Sequence, residues 1–144
     1  MEIVNRKARH DYFVEDEYEC GIVLTGTEIK SVRAGSCNIG DSYGHIKNGE
    51  IFVLNMFIGE YKEGNIFNHE ETRTRKLLMH KKEILKLSNK VNIEGYTLIP
   101  LKVYFKDNKA KLLLGLCKGK KDYDKRESIK ERDIKREIEK KSKY

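Results

Sequence analysis

Cysteine is scarce in this sequence, and its spacing excludes two classes of small protein. The three cysteines, Cys20, Cys37 and Cys117, lie far apart. An odd number at this spacing fits neither a disulfide framework nor a CxxC zinc site. No apolar run is long enough to span a membrane, and the first residues, MEIVNRKARHDY, contain no apolar stretch of the kind that directs secretion. We therefore expect a cytosolic protein with free thiols.

Catalytic motifs are also missing. The sequence contains no GxSxG, Walker or GxGxxG pattern. His45, His69 and His80 are scattered without the spacing of metal ligands. His10 and Asp11 are adjacent, so on a strand they would point to opposite faces and could not work as a pair. These absences predict a protein that is not an enzyme and has no cofactor or metal site.

Charge, in contrast, is abundant and is concentrated at the end of the chain. The formal net charge is +7, and from Lys120 to Tyr144 eleven Lys and Arg stand against seven Asp and Glu. This segment therefore supplies +4, and residues 1–119 carry the remaining +3. Its few aliphatic side chains cannot form a core, so alone in water it should be disordered. We expect one domain, residues 1–118, followed by a basic tail, residues 119–144.

The tail has the composition of a latent helix. It contains no proline, its only glycine is its first residue, and Glu127, Glu131 and Lys135 follow one another at i, i+4 in the favourable order. Such a helix would form on a polyanion. A charge run is equally typical of a solvated tail that only confers solubility. The tail alone leaves both interpretations open.

The body alternates in the manner of short antiparallel strands. Apolar residues alternate from Tyr18 to Leu24, which predicts a strand with one buried face. Asn48-Gly49 lies between two such segments and is the strongest hairpin signal in the chain. Asp107-Asn108 predicts a second hairpin. Pro100 has no N–H to donate, so its strand should be at an edge or bulged there.

Two helices interrupt the strands. Thr27 is placed to cap a short helix that runs to about Ala34, with Gly35 as its left-handed end. A longer helix is predicted over Leu77–Val91, where apolar residues recur near a 3.6-residue period, and Gly95 terminates it.

The stretch between these helices, residues 57–76, is predicted to be an irregular connection. Several short antiparallel strands without a βαβ pattern suggest a small closed or nearly closed barrel. Closure would remove the exposed strand edges that otherwise aggregate. The predicted fold is therefore mainly β, a small antiparallel barrel of five or six strands with short peripheral helices.

Basic residues cluster at three places on the body: Arg6, Lys7 and Arg9 beside His10; Lys30 and Arg33 on the short helix; and residues 73–90, with seven Lys and Arg against one acid. Aromatic side chains that can stack on unpaired bases are interleaved with them, namely Tyr12, Phe13, Tyr43 and His69. Together they indicate a partner rich in phosphate. Tyr12 and Tyr43 alternate with apolar positions, so a place in the core remains open for both.

Glu28 is an anion among these cations. As a helix-start charge it would be worth about 0.3–1 kcal/mol. As a binding residue it would accept hydrogen bonds from base or ribose donors, which a purely cationic surface cannot do.

Several blocks of the sequence occur in an order that is specific to one family. These blocks resemble the SsrA-binding protein family, also called small protein B: NRKARHDYFVEDEYECGIVLTGTEIKSVRAG, NIGDSY, GEIFVLNMFIGEY, NHEETRTRKLLMHKKEI, GYTLIPLKVYF and GKKDYDKRESIKERD. The resemblance is collinear from about Asn5 to Arg136.

The resemblance implies a fold and a function. Family members have a six-stranded antiparallel barrel, related to oligonucleotide-binding folds, and have no catalytic activity. They bind the tRNA-like domain of transfer-messenger RNA in the bacterial cytoplasm and bring it to stalled ribosomes, so that the nascent chain is tagged for proteolysis. Elongation factor Tu and alanyl-tRNA synthetase are partners indirectly, through the RNA. The tail contacts small-subunit ribosomal RNA, folding in the decoding centre and the empty mRNA channel.

The resemblance also implies site residues in this sequence. On the body, those expected to bind RNA are Arg6, Lys7, Glu28, Lys30, Arg33, Asn68, His69, Arg73, Arg75 and Lys76. In the tail, those expected to face the ribosome are Lys120, Lys121, Tyr123, Asp124, Lys125, Arg126, Lys130, Arg132 and Arg136. The sequence departs from many relatives at Glu71, where they carry proline, and at Ile134, where they carry an aromatic residue. Apart from the resemblance, two alternatives stay open: a general RNA chaperone that binds single strands, and a protein-interaction barrel with a solubility tail.

Overall fold

The computed structural model describes residues 1–62 and 68–120. In these ranges nine strands and three helices follow one another along the chain. In chain order the elements are β1 (Glu2–Val4), α1 (Ala8–Asp11), β2 (Tyr12–Ile22), α2 (Gly26–Arg33), β3 (Cys37–Asn38), β4 (Tyr43–Lys47), β5 (Glu50–Leu54), β6 (Phe57–Ile58), β7 (Arg75–Leu78), α3 (Lys81–Glu94), β8 (Thr97–Lys106) and β9 (Lys109–Gly119).

Seven of these strands form one antiparallel sheet in the order β1-β8-β9-β2-β7-β5-β4, and β3 pairs with β6 in a second, two-stranded sheet. The large sheet is open, with β1 and β4 at its edges. It curls until β4 packs on β8, where Gly44 lies so close to Leu98 that a Cβ on Gly44 would be 2.9 Å from the Leu98 Cβ. The mainly-β prediction is confirmed, whereas the predicted six-stranded closed barrel is wrong, because no ladder joins β4 to β8 among the described strands.

Both predicted hairpins are present. Asn48 and Gly49 join β4 to β5 with φ angles of 53° and 78°. Asp107 and Asn108 join β8 to β9 with φ angles of 52° and 63°. These left-handed conformations match the right-handed twist of the strands that they connect. The pairing of β8 with β9 shifts register between Pro100 and Lys102, so the predicted bulge at Pro100 is confirmed.

Both helices exist, with different starting points. α2 is capped by Thr25, not Thr27, because Thr25 adopts extended backbone and its side chain accepts the N–H three residues on. Gly35 follows α2 with a φ of 85°, as predicted. α3 begins at Lys81. Leu77 instead belongs to the strand β7, and its side chain is buried in the core. The prediction that this helix begins at Leu77 is therefore wrong by about one turn.

The connection predicted over residues 57–76 is also more regular than expected, since it begins with β6 and ends in β7. Its central residues 63–67 lie outside the described ranges. Within those ranges, no helix combines the length and apolar character that a membrane crossing requires.

The core lies between the curled sheet and the two longer helices. Ile84 and Leu87 of α3 and Val32 of α2 pack against buried strand residues such as Leu112 and Leu114. The three cysteines are free thiols, as expected. Burial raises the pKa of Cys20 and Cys37 to about 12 and that of Cys117 to about 11, so all three are protonated at neutral pH.

Candidate nucleic-acid interface

The start of α2 is built around a buried carboxylate. Glu28 is 0% exposed. Its Oε1 accepts the backbone N–H of Thr25 at 2.8 Å, and Thr25 Oγ1 accepts the N–H of Glu28 at 3.3 Å, which completes a capping box. Burial alone would raise the pKa of Glu28, but hydrogen bonds from Arg73, Thr25 and Arg75 lower it to about 2. The carboxylate is therefore charged at neutral pH.

Arg75 is the internal partner of this carboxylate. Its side chain is 0% exposed, and its Nε donates to Glu28 Oε2 at 2.7 Å. The same guanidinium donates to the carbonyl oxygens of Met56 at 2.6 Å, Glu70 at 3.3 Å and Glu71 at 3.2 Å. The expectation that Arg75 belongs to the basic surface is therefore wrong, because its side chain is buried, where it ties α2 to the turn between β5 and β6 and to the segment before β7.

Arg73 is the outer partner. Its Nε and Nη2 donate to Oε2 and Oε1 of Glu28 at 3.1 and 2.8 Å, and Nη2 also reaches the carbonyl oxygen of Val23 at 3.4 Å. The Arg73 side chain is 35% exposed. Of the three charges in this cluster, only that of Arg73 reaches the surface.

His69 and Asn68 also make hydrogen bonds that link separate segments of the chain. His69 Nδ1 lies 2.9 Å from Thr27 Oγ1, and Nε2 donates to the carbonyl oxygen of Ile58 at 2.9 Å. Asn68 Nδ2 donates to the carbonyl oxygen of Tyr61 at 2.7 Å, and Asn68 Oδ1 accepts the N–H of Tyr61 at 2.9 Å. His69 is buried, so stacking of its ring on a base stays a prediction to which the structure adds no support.

A cleft of about 360 Å³ opens where the sheet fails to close. Tyr12, which is half-buried, and Tyr43, which is 37% exposed, line it together with Lys7 and Asp41, whose side chains form an ion pair at 3.1 Å. Tyr12 also packs against a small apolar cluster around Ile99. The two interpretations of Tyr12 are thus compatible, since the same side chain packs on this cluster and lines the cleft.

Arg6 is exposed and lines two further cavities of about 370 and 440 Å³. The remaining predicted cations of the body are exposed and partly paired. Lys30 Nζ lies 5.6 Å from the ring centre of Tyr61, and the Arg33 guanidinium lies 4.1 Å from that of Phe105. Lys76 pairs with Glu50 at 3.0 Å.

A further candidate surface, which the sequence reading missed, crosses the outer face of the large sheet. One row of paired residues runs over five strands: Glu2, Tyr104, Lys111, Gly21 and Leu78. Leu78 is 53% exposed beside a glycine. The row combines an aromatic ring, a cation and flat apolar surface, which are the means of binding a base or a ribose.

One acid–phenol contact supports this row. Tyr104 donates its hydroxyl hydrogen to Glu19. Burial, together with this hydrogen bond, raises the pKa of Tyr104 to about 12, and the same bond lowers the pKa of Glu19. The signal was present in the sequence, because Lys102, Tyr104 and Lys106 alternate with apolar residues and so mark the solvent face of β8.

The tail begins beside an aromatic residue. Lys120 Nζ lies 5.2 Å from the ring centre of Phe13, which is 43% exposed. The other tail residues that were expected to face the ribosome lie outside the described ranges: Lys121, Tyr123, Asp124, Lys125, Arg126, Lys130, Arg132 and Arg136. In the described ranges, no group of three or more His, Cys, Asp or Glu side chains is arranged to hold a metal ion.

Comparison with known proteins agrees across sequence and structure. The chain is 59% identical to the SsrA-binding protein of Bacillus subtilis over 135 residues, which cover 94% of this chain and 86% of that protein. The values for the SsrA-binding protein of Shouchella clausii are the same. The SsrA-binding protein of Staphylococcus aureus is 56% identical over 134 residues, covering 93% and 87%.

A solved structure described as "tmRNA-SmpB: a journey to the center of the bacterial ribosome" matches with a TM-score of 0.70 and 46% identity over 83% of this chain and 84% of that one. The family model described as "SmpB protein" matches residues 2–144. With these likenesses spanning nearly its whole length, the chain belongs to the SmpB protein family.

Proposed function

We propose that this protein binds the tRNA-like domain of transfer-messenger RNA and delivers it to stalled bacterial ribosomes, without catalysing a reaction itself. The observation that carries this proposal is the 59% identity to SsrA-binding proteins over 94% of the chain. The net charge of +7 supports it. When Lys and Arg side chains neutralise RNA phosphates, the counterions condensed on the RNA are released, and this release favours binding. Such work takes place in the bacterial cytoplasm, where ribosomes are.

The body offers this RNA three kinds of contact. The outer row with Tyr104 and Lys111 suits an unstacked base or a ribose, and the exposed edge of Arg73 suits a phosphate. The cleft between Tyr12 and Tyr43 suits an unpaired base beside Lys7. These contacts lie on different parts of the body, so a folded RNA with an elbow can use more of them at once than a flexible single strand can.

The tail serves the ribosome. We propose that residues 119–144 become helical on small-subunit ribosomal RNA, in the decoding centre and the empty mRNA channel. Cations on several sides of such a helix suit a channel walled by phosphates, and charge-assisted hydrogen bonds offset the entropy of ordering. Elongation factor Tu and alanyl-tRNA synthetase take part through the RNA.

The function is tested by binding. The full chain should bind a transcribed tRNA-like domain far more tightly than an unstructured single strand of equal length at the same salt concentration. The same RNA should copurify with the protein from cells. Equal affinity for the two RNAs would favour a general single-strand chaperone and would contradict the proposal.

The division of labour is tested by truncation. A chain that ends at Lys118 should keep most of its affinity for the isolated tRNA-like domain, because the tail contributes only non-specific attraction there. Loss of that affinity would show that the tail is part of the RNA-capture surface.

The helical tail is tested by proline. Ile134→Pro costs about 3 kcal/mol in a helix interior, so it should stop tagging of stalled chains while RNA binding persists, and Ile134→Ala is the matched control. Normal tagging by the proline variant would reduce the tail to a solubility appendage.

A further inference from the structure

Three charged side chains meet at the start of α2, and their burial differs in an informative way. Glu28 and Arg75 are each 0% exposed, whereas the Arg73 side chain is 35% exposed. The carboxylate and the buried guanidinium neutralise one another inside the protein. The cluster as a whole carries one positive charge, and it resides on the arginine that reaches solvent.

The hydrogen bonds of Arg73 determine which of its atoms remain available. A guanidinium has five N–H donors. Nε and one N–H of Nη2 meet the two oxygens of Glu28, and the second N–H of Nη2 is directed at the carbonyl oxygen of Val23. In the described part of the chain these contacts leave the two N–H groups of Nη1. Held by a bidentate contact on one edge, the guanidinium has little orientational freedom left to lose when it meets an acceptor.

We propose that Glu28 and Arg75 are positioning residues, which hold the Arg73 guanidinium so that Nη1 contacts a phosphate of the bound RNA. Glu28 fixes the orientation of Arg73, and Arg75 supplies the charge without which Glu28 would neutralise Arg73. This role differs from a direct contact of Glu28 with RNA, because the Glu28 oxygens are already occupied by Thr25 and the two arginines. The inference rests on the proposed function.

The contacts of Arg75 also position the nearby segments of the same chain. Its donors reach carbonyl oxygens at residues 56, 70 and 71, and His69 links Thr27 to Ile58 on the same side of α2. The segment that carries Arg73 is therefore fastened to α2 on both sides of the cluster. A loop fastened in this way fixes the position of Arg73 relative to α2, so its guanidinium meets the bound RNA at one place.

The test is a double-mutant cycle on the full chain, with the transcribed tRNA-like domain of transfer-messenger RNA as the probe. Arg73→Ala should weaken binding about tenfold and reduce the slope of log affinity against log salt by about 1, as expected for one lost phosphate contact. Glu28→Gln should weaken binding by a similar factor. The double variant should bind no more weakly than Arg73→Ala alone, since Glu28 acts through Arg73. Additive losses would overturn the inference and return Glu28 to a direct contact.

Arg73→Lys tests the same point with Glu28 and Arg75 both kept in place, so it stays informative even where Glu28→Gln unfolds. A lysine keeps the charge but cannot be held on one edge while it donates from another. It should therefore bind nearly as weakly as Arg73→Ala. Wild-type affinity in Arg73→Lys would show that charge alone matters and would overturn the inference. Failure of the wild-type chain to bind the probe would overturn the proposed function as well, whereas normal wild-type binding without coupling would overturn only this inference.

Discussion

Replacing Glu28 with glutamine should destabilise the fold at neutral pH. The carboxylate is fully buried and joins α2 to Arg73 and Arg75. Glutamine has nearly the same shape, but it leaves two guanidinium groups without their counter-charge. Removing one partner of a buried ion pair costs about 3–5 kcal/mol. Because Arg73 can turn to solvent, we expect a loss near the lower end, about 3 kcal/mol.

The free energy of unfolding that Glu28→Gln loses relative to the wild type should be smaller in acid. The pKa of Glu28 is about 2 in the folded protein against an ordinary value of 4.5. A carboxyl whose pKa is lowered by folding stabilises the protein above the unfolded value, and this stability is lost as the pH falls from about 4.5 to 2. The difference between the two pKa values corresponds to about 3 kcal/mol. By pH 3.5 about 1 kcal/mol of it should be gone.

Urea unfolding of the full chain at pH 7 and pH 3.5, at matched ionic strength, measures both effects. The wild type should lose more stability between these two values than Glu28→Gln does, by about 1 kcal/mol. Glu50→Gln is the control, because the Glu50 side chain is 51% exposed in its pair with Lys76 and should cost no more than about 1 kcal/mol. A penalty for Glu28→Gln that matches the control, or that is the same at both pH values, would refute the reasoning.

Three further predictions concern the hairpin, the curl of the sheet and its outer face. Gly49→Ala should cost about 1–2 kcal/mol in urea unfolding, because φ is 78° and no neighbour lies within 4 Å, whereas Gly26→Ala, also in open space but at the start of α2, should cost nothing. Gly44→Ala should cost about 1–3 kcal/mol by the same measurement, since the new Cβ would force β4 away from β8; a neutral result would mean that the two strands part freely. Lys111→Ala should weaken binding of the tRNA-like domain and lower its salt slope by about 1, while Lys47→Ala on the edge strand should change neither; equal effects would remove the outer row from the interface.

Local chemistry explains what could be predicted from the sequence. Asn48-Gly49 and Asp107-Asn108 supply residues that tolerate positive φ, and a two-residue turn between alternating segments leaves little choice of pairing. The missing N–H of Pro100 acts within its own strand, so the bulge was equally predictable. The family, too, could be recognised, because its blocks of residues follow one another along the chain.

The helix boundaries depended on their neighbours. Leu77 continues the apolar period of α3, but pairing with Ile22 and Ile51 draws it into β7. A strand that completes a sheet outweighs one more helical turn, and the period alone does not report this competition.

The candidate site was decided by tertiary structure. Arg75 reads as one more cation in a basic run, yet it is buried because a carboxylate 47 residues away and three carbonyl oxygens satisfy its donors. The outer row joins residues from five strands, and the open edge of β4 depends on how far the whole sheet curls. Side-chain type and local spacing determined which residues could bind RNA. Which of them are exposed was determined by contacts between residues far apart in the sequence, because burial and pairing arise only when distant strands come together.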